Sequence, residues 1–200
     1  MKRFGITGLL GVIVMLASWS VQADDKIDLS SFKRPASIPF PSDNPYGADK
    51  AALGKALYFD PRVSGNGNMN CMTCHNPSFA FSDGQVKAVG AQAKSLPRHS
   101  PTILNEAWGE KFFWDGRADS LEAQATGPIT APMEMNMPLN NLVARLKEID
   151  GYQKWFDRVF PGQGITEKTM PMAIATFERT LVSGRAPFDK WVEGDDKAVS

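Results

Sequence analysis

Two cysteines and a histidine form the run of this sequence with the clearest chemical implication. Cys71 and Cys74 are the only cysteines of the chain, and His75 follows them directly in the sequence CMTCH. With this spacing, the two thiols can form thioethers to the vinyl groups of a haem while the adjoining imidazole reaches the iron. The run therefore predicts one covalently bound c-type haem, with His75 as a ligand of its iron.

Other interpretations of the same run are open, and each explains less of it. A redox-active C-x-x-C pair belongs near a strand-helix-strand unit, whereas the flanking residues here are mainly Gly, Asn and Pro. A closed structural zinc site needs four ligands, and His99, the other histidine, supplies just one more. A simple disulfide between the two cysteines leaves His75 without a role.

The N-terminus has the pattern of a secretory signal peptide. Lys2 and Arg3 precede a largely apolar stretch at residues 6–19, and small residues occupy the cleavage positions before and at Ala23. The apolar stretch is shorter than the roughly 20 residues that a membrane-spanning helix needs. We therefore expect residues 1–23 to be removed, leaving a periplasmic protein without a membrane anchor, in the compartment where haem is covalently attached.

Length and charge limit the remaining possibilities. Residues 24–200 are enough for one compact domain of ordinary size. The whole chain has 22 basic and 22 acidic side chains, and removal of the signal peptide leaves a slightly negative protein. Because no stripe of basic residues is visible, a nucleic-acid partner is not expected.

The elements around the motif are predicted to be helices and long loops. Residues 24–47 contain four prolines and are expected to form an extended N-terminal arm. A helix is predicted from Ala48 to Phe59, stopping at Asp60 and Pro61, and residues 76–107 are expected to be mainly loop.

The remaining helices are predicted from apolar stripes and from breakers. Residues 119–125 should form a short helix with Asp119 or Ser120 as its N-cap and Gly127-Pro128 as its stop. Further helices are predicted from a cap at Asn140 or Asn141 to Gly151, from Tyr152 to Pro161, from Thr166 or Thr169 to before Gly184, and from Pro187 to Val192. The fold class is therefore predicted as all-α, a helical haem domain with long loops.

Several long blocks of the sequence resemble the N-terminal haem domain of the bacterial di-haem cytochrome c peroxidases, especially the MauG branch. The blocks are LGKALYFDPRVSGNGNMNCMTCHNPSFAFSDG, RHSPTILNEAW, FFWDGRADSLEAQATGPITAPMEMNM, IDGYQKWF and AIATFERTLVSGRAPFDKW. The resemblance implies a cytochrome c-like fold over residues 48–200. It also implies an oxidoreductase that reacts with hydrogen peroxide, with a small cytochrome or cupredoxin as electron donor or a protein side chain as substrate.

Matching positions within these blocks imply roles for individual residues. His75 resembles the proximal ligand of the peroxide-reactive haem, and Glu134 the distal acid. Gln124 and Pro128 match residues that line the distal face, and Trp114 matches the tryptophan between the two haems. The residues taken alone leave other interpretations open, since Glu134 could be a solvated loop carboxylate and Trp114 a core aromatic.

Peroxide cleavage on iron gives Glu134 a physical reason for its implied role. One oxygen of the peroxide must lose a proton and the other must gain it, and a carboxyl group with a pKa near neutrality can do both. Burial among proline and methionine side chains would raise the pKa of Glu134 by desolvation, which suits such a proton transfer.

The chain departs from the family pattern in ways that shape the prediction. Family members have two haem domains, whereas this sequence has a single C-x-x-C-H run. We expect a haem domain that stops before a second one, with a one-haem relative as the alternative. The loop VKAVGAQAKSL has no histidine where typical members carry a removable iron ligand, which predicts an open distal site.

Calcium and propionate contacts are less specific predictions. His99 stands where many relatives have an asparagine near a shared calcium ion, and calcium prefers oxygen ligands, so calcium is possible without an assigned residue. Arg98, Arg117 and Arg179 could pair with haem propionates or form ordinary salt bridges.

Two other functions remain alternatives to a peroxidase. A mono-haem electron-transfer protein would have two protein ligands on its iron and no open site, with one of the nearby methionines as the second ligand. A non-catalytic haem-binding remnant would retain the cofactor for structural reasons alone.

Overall fold

The computed structural model describes residues 28–199, and its regular structure is helical. Seven α-helices occur in this range: α1 (Ala48–Phe59), α2 (Cys71–Cys74), α3 (Leu121–Thr130), α4 (Leu139–Lys147), α5 (Asp150–Val159), α6 (Thr169–Arg179) and α7 (Pro187–Val192). Isolated bridges, but no β-strands, occur within residues 28–199. The all-α prediction is therefore confirmed. The predicted signal peptide, residues 1–23, lies outside the described residues.

The helix α6 is the centre of the molecule, because every one of its residues is buried. It packs most extensively against α1, where Gly54 allows the two backbones to approach closely. A Cβ atom at Gly54 would lie only 1.9 Å from the carbonyl oxygen of Ala173. A glycine is required there because any side chain would separate the two helices.

A single apolar cluster joins α1, α4, α5 and α6. Leu53 from α1, Leu146 from α4, Phe156 from α5 and Ala173 from α6 are all fully buried within it. The apolar stripes predicted for the C-terminal helices therefore face the core. At roughly 25 cal/mol for each Å² of apolar surface, burial of these stripes is the main force holding the helices together.

The predicted end of α3 is wrong, because the helix continues through Pro128 to Thr130. Ser120 is its N-cap, as predicted, and accepts the amide hydrogen of Ala123 at 3.1 Å. The carbonyl groups of the last turn find partners outside the helix: the amide nitrogen of Met135 donates to Pro128 and that of Met137 to Ile129. The returning chain thus stabilises a turn that the proline alone would have ended.

Other helix boundaries also differ from the predictions. Pro138, rather than Asn140 or Asn141, precedes the first residue of α4. Gly151 lies in the first turn of α5 instead of ending α4. The helix α6, in contrast, begins at Thr169 and ends before Gly184 as predicted, with Arg179 as its last residue. Each difference is a shift of a helix end, and the helices that were predicted occur in the predicted order.

The part of the N-terminal arm that the structure describes lies against the C-terminal segment. The Arg34 guanidinium donates to the carbonyl oxygens of Ser183 and Gly184, at 2.6 and 3.1 Å, and lies 3.4 Å from the Asp189 carboxylate. Within residues 28–199, no helix is both long and apolar enough to cross a lipid bilayer.

Candidate functional site

The two cysteines lie on α2, a single helical turn that the sequence analysis did not predict. Asn70 caps this turn. Its side-chain oxygen accepts the backbone amide hydrogen of Thr73 at 3.1 Å, and its backbone amide donates to the Thr73 hydroxyl at 3.0 Å. Residues three apart on a helical turn share one side. Cys71 and Cys74 are both free thiols, and both line the same pocket.

His75 follows α2 directly, and its ring is held by carbonyl groups from two loops. Its Nδ1 atom lies 3.2 Å from the carbonyl oxygen of Phe81 and 3.0 Å from that of Pro101. Both neighbours are acceptors, so Nδ1 carries the proton and Nε2 keeps a free lone pair. Burial lowers the pKa of His75, which also favours the neutral imidazole that a metal ion binds.

The main pocket of the molecule brings the predicted site residues together. It contains about 1320 Å³ of space free of protein atoms, counting its open mouth. All seven predicted residues line it: Cys71, Cys74, His75, Trp114, Gln124, Pro128 and Glu134. The structure thus collects residues from α2, α3 and two loops at one place, although the role of each residue remains a prediction.

The carboxyl group of Glu134 lies at the wall of this pocket. The side chain is partly buried, and burial raises its pKa, although the positive charge of Arg117 partly opposes that change. The alternative of a fully solvated loop carboxylate does not fit this position. A carboxyl group at a pocket wall can exchange protons with a bound molecule.

Trp114 is not a core aromatic, so that alternative interpretation is wrong. The residue is 56% exposed at the pocket rim. Its indole nitrogen donates to the carbonyl oxygen of His99 at 3.2 Å, and its ring centre lies 4.8 Å from the His99 ring. The indole is therefore oriented by polar and ring contacts at the surface while it still lines the pocket.

The three arginines considered for propionate contacts differ in their surroundings. Arg179 is buried and gives both terminal nitrogens to Glu122, at 2.6 and 2.9 Å. Arg117 pairs with Asp115 at 2.8 Å, and Arg98 lines the pocket. Arg179 therefore forms a structural ion pair, and the two others lie where a bound anionic group could reach them.

The residues of the pocket fit a c-type haem. The wall is mainly apolar, it includes two free thiols on one helical turn, and the adjoining imidazole has its Nε2 atom available for a metal. This donor set is the one that covalent haem attachment needs. Within residues 28–199, no cluster of three or more His, Cys, Asp or Glu side chains could hold a separate metal ion, and the calcium prediction remains untested.

The sequence analysis missed two carboxyl groups that also line this pocket, Glu106 and Glu178. Glu178 follows Ile174 by one helical turn, so a charged residue occupies the stripe of α6 that faces the pocket. This charged residue within an apolar stripe was the sequence signal that could have identified Glu178 as a pocket residue. Glu106 lies in a short turn, Glu106–Trp108, where no periodic pattern could have indicated it.

Comparison with known proteins agrees with this geometry. The family model of the di-haem cytochrome c peroxidases matches residues 48–197. The chain is 54% identical over 169 residues to the methylamine utilization protein MauG of Methylorubrum extorquens, which covers 84% of this chain and 48% of that protein. It is 39% identical over 162 residues to the cytochrome c551 peroxidase of Nitrosomonas europaea, covering 81% and 48% respectively.

A solved structure has the same fold. A MauG-like protein associated with microbial copper homeostasis superimposes with a TM-score of 0.73 at 32% identity, over 81% of this chain and 49% of that one. The chain thus spans about half the length of the relatives it matches. On the family model and on these identities together, the chain belongs to the di-haem cytochrome c peroxidase family.

Proposed function

We propose that this chain is the domain at which a periplasmic di-haem oxidoreductase reacts with hydrogen peroxide. The observation that carries the proposal is the convergence of seven predicted residues, from separate segments, on one pocket. A haem bound there would supply an iron centre that accepts electrons and binds peroxide. The overall reaction converts one peroxide, two electrons and two protons into two water molecules.

The cysteines and the histidine hold and orient the cofactor in this proposal. Thioethers from Cys71 and Cys74 would hold the haem on α2, and the Asn70 cap fixes α2 relative to the loop before it. The two carbonyl groups at His75 Nδ1 fix the orientation of the imidazole and increase its basicity as a ligand. Tyr58 supports the same segment by donating its hydroxyl hydrogen to the carbonyl oxygen of His75 at 2.6 Å.

Glu134 moves the proton that peroxide cleavage requires. As a carboxylate it accepts the proton of one peroxide oxygen, and as a carboxylic acid it returns that proton to the other oxygen, which leaves as water. Burial raises the pKa of Glu134, so the protonated form that returns the proton is easier to reach than for an exposed carboxyl group. Gln124 and Pro128, on the adjacent α3, narrow the space in which the peroxide lies.

Trp114 connects the pocket with the source of electrons. Its ring lines the pocket and is also exposed at the rim, so it offers a short path for electrons between the site and a neighbouring redox centre. The second haem of the family would be that neighbour. The final donor is a small cytochrome or cupredoxin, or the oxidised substrate is a protein side chain, as the family resemblance implies.

An electron-transfer protein remains a second candidate because two methionines are buried at the pocket. Met69 and Met135 both line it, and either thioether could complete the coordination of the iron. The spectrum of the purified ferric protein separates the two functions. A high-spin spectrum with a rapid reaction with peroxide supports the peroxidase, whereas a purely low-spin spectrum without that reaction contradicts it.

Turnover provides the test of the electron path. We expect the chain alone to react once with peroxide but to turn over slowly with a small redox protein, and addition of a second haem domain to restore turnover. Trp114→Leu should reduce that restored turnover more than the first reaction with peroxide, while Trp191→Leu, a change of the same size elsewhere, should affect neither. Fast turnover by the chain alone would contradict the need for a second haem.

A further inference from the structure

A buried carboxyl group with one unpaired oxygen atom lines the pocket. Glu178, in α6, is only 7% exposed, and its Oε2 atom has no hydrogen-bond partner among residues 28–199. It borders the same cavity as Cys71 and His75. A buried carboxylate without a partner is costly, so such a group is either neutral or in contact with whatever occupies the cavity.

The nearby groups that could have neutralised Glu178 are engaged elsewhere. Arg179, the adjacent cation, gives its two terminal nitrogens to Glu122. The hydroxyl of Tyr58, on the facing helix α1, donates to the carbonyl oxygen of His75. The position of Glu178 is therefore not that of a salt-bridge residue, although a cation lies next to it in the sequence.

The charged and titratable groups around Glu178 come from four other segments. Glu106 and Glu122 are negative neighbours from the 106–108 turn and from α3, Tyr58 belongs to α1, and Cys71 belongs to α2. Burial and, next, the charge of Glu106 raise the pKa of Glu178 to about 8. Its protonation therefore changes readily with a small change in local charge near neutral pH.

We propose that Glu178 is a redox-linked proton carrier, which binds a proton from solvent when an electron enters the pocket and releases it when the electron leaves. The electron is supplied by the donor protein, or by an electrode in the experiment below. One added electron lowers the charge of the cavity by one unit. In a buried site that change is poorly screened, so it favours the protonated form of Glu178.

The role rests on the proposed function, because it requires a haem bound through Cys71 and Cys74. It differs from the role of Glu134, which handles the protons of the peroxide itself. Glu178 would keep the charge of the pocket nearly constant during electron transfer. Glu178 acts by compensating the charge of the added electron, and it need not touch the substrate.

Spectroelectrochemical titration of the haem-loaded chain tests this inference. The midpoint potential would be measured from about pH 6 to about pH 10, a range that includes the raised pKa. If one proton accompanies one electron, the potential should fall with rising pH by up to about 59 mV for each tenfold drop in proton concentration. Glu178→Gln, which is neutral at all pH values, should remove that slope and retain the potential of the wild type at low pH.

Two further variants serve as matched controls. Glu110→Gln changes an exposed glutamate and should leave the slope as in the wild type. Glu106→Gln removes the negative neighbour, so the pKa of Glu178 should fall and the sloping region should move to lower pH. The reduced-minus-oxidised infrared spectrum should contain the carbonyl band of a protonated carboxyl group in the wild type and lose it in Glu178→Gln.

Several outcomes would overturn the inference. A wild-type potential independent of pH would do so, and so would a slope that persists in Glu178→Gln. Loss of the slope in Glu106→Gln alone would assign the proton to Glu106 instead. If Glu178→Gln does not fold, a flat wild-type potential or a missing carboxyl band in the wild-type infrared spectrum would still overturn the inference. A chain without covalent haem would contradict the proposed function itself, whereas a haem with a flat potential would contradict this inference alone.

Discussion

The helical core, α1 together with α3 to α6, and the pocket loops, residues 76–118, are built from different kinds of interaction. Inward-facing side chains of the helical core are mainly large and apolar, such as Leu146 and Phe156, which are fully buried. In the pocket loops the buried apolar residues are few, and three of them are alanines: Ala88, Ala91, Phe112 and Ala118.

The backbone of the pocket loops is also less regular than that of the helical core. Six non-glycine residues of the pocket loops have a positive φ: Ala80, Phe81, Gln92, Ala93, Asn105 and Phe113. Such conformations are uncommon for L-residues and cost energy that neighbouring contacts must offset. We therefore expect apolar burial to hold the helical core together, and the pocket loops to rely more on polar contacts such as those around His75.

The largest expected effect comes from removing the cofactor attachment. The double variant Cys71→Ala, Cys74→Ala should carry no covalent haem, as measured by intact mass. Without the cofactor, hydrogen exchange should accelerate in the pocket loops while the amides of α1 and α6 stay protected. Equal loss of protection in both regions would contradict the comparison, and covalent haem in this variant would contradict the attachment site.

His75→Gly is the matched control for that variant. The two thioethers remain, so the haem should stay covalently bound, but its absorption spectrum should change because the axial imidazole is missing. An unchanged spectrum would mean that another residue is the ligand.

The next effect tests chemistry at the pocket wall without disturbing the core. Glu134→Gln should slow the first reaction with peroxide by roughly 10²-fold to 10⁴-fold, because it keeps the shape but cannot transfer the proton. Stopped-flow absorbance measures this rate, with Glu110→Gln as an exposed control. The wild-type rate should fall as the pH drops through the raised pKa of Glu134, since the carboxylate form accepts the first proton.

A substitution in the helical core should lower stability without changing the chemistry of the pocket. Leu146→Ala should lower the free energy of unfolding by about 2–5 kcal/mol through loss of apolar burial and formation of a cavity. The haem spectrum and the peroxide reaction should be unchanged. Lys147→Ala, on the exposed face of the same helix, should change stability by less than about 0.5 kcal/mol. A shifted spectrum in Leu146→Ala would show that the two regions are coupled.

The smallest expected effect concerns Asp60, which joins the end of α1 to α5. It is 8% exposed and accepts hydrogen bonds from Arg62 and, at 2.7 Å, from the Tyr152 hydroxyl. Burial alone would raise its pKa, but these bonds outweigh burial and hold the pKa below its usual value. The folded form therefore gains stability above the ordinary pKa of the carboxyl group and loses it as the pH falls through the lowered one.

Asp60→Asn tests that contribution by chemical denaturation at several pH values. It should cost about 1–3 kcal/mol at neutral pH, the usual cost of weakening a buried polar contact. Its unfolding free energy should also depend less steeply on pH in the acid range than that of the wild type. Parallel pH dependence in the two proteins would mean that other carboxyl groups cause the acid sensitivity.

The same contrast explains what the sequence could predict. Helices of the core repeat their apolar residues at the helical period, so their order and buried faces were readable from stripes such as the one through Met170 and Ile174. The C-x-x-C-H motif could be recognised from the sequence because the chemistry of haem attachment sets the spacing of its residues. The end of α3 was not, because the partners of its last carbonyl groups, Met135 and Met137, come from the returning chain.

The pocket wall could be predicted only in part. Blocks of sequence placed Glu134 and Trp114 at the site by resemblance, but the exposure of Trp114 depends on loop geometry that no local pattern encodes. Glu178 was overlooked because it lies within an apolar helix, where a single carboxyl group is easily taken for a surface residue. Its burial follows from the packing of α6 against several other segments at once.

One proton on His75 is shared between two carbonyl groups that belong to different loops. The three-centre contact from Nδ1 to Phe81 and Pro101 gives the imidazole a redundant support, because either acceptor is sufficient to keep the proton on that nitrogen. A small shift of either loop would therefore leave the ring in the same tautomer. The orientation of the His75 ring therefore does not depend on one loop alone.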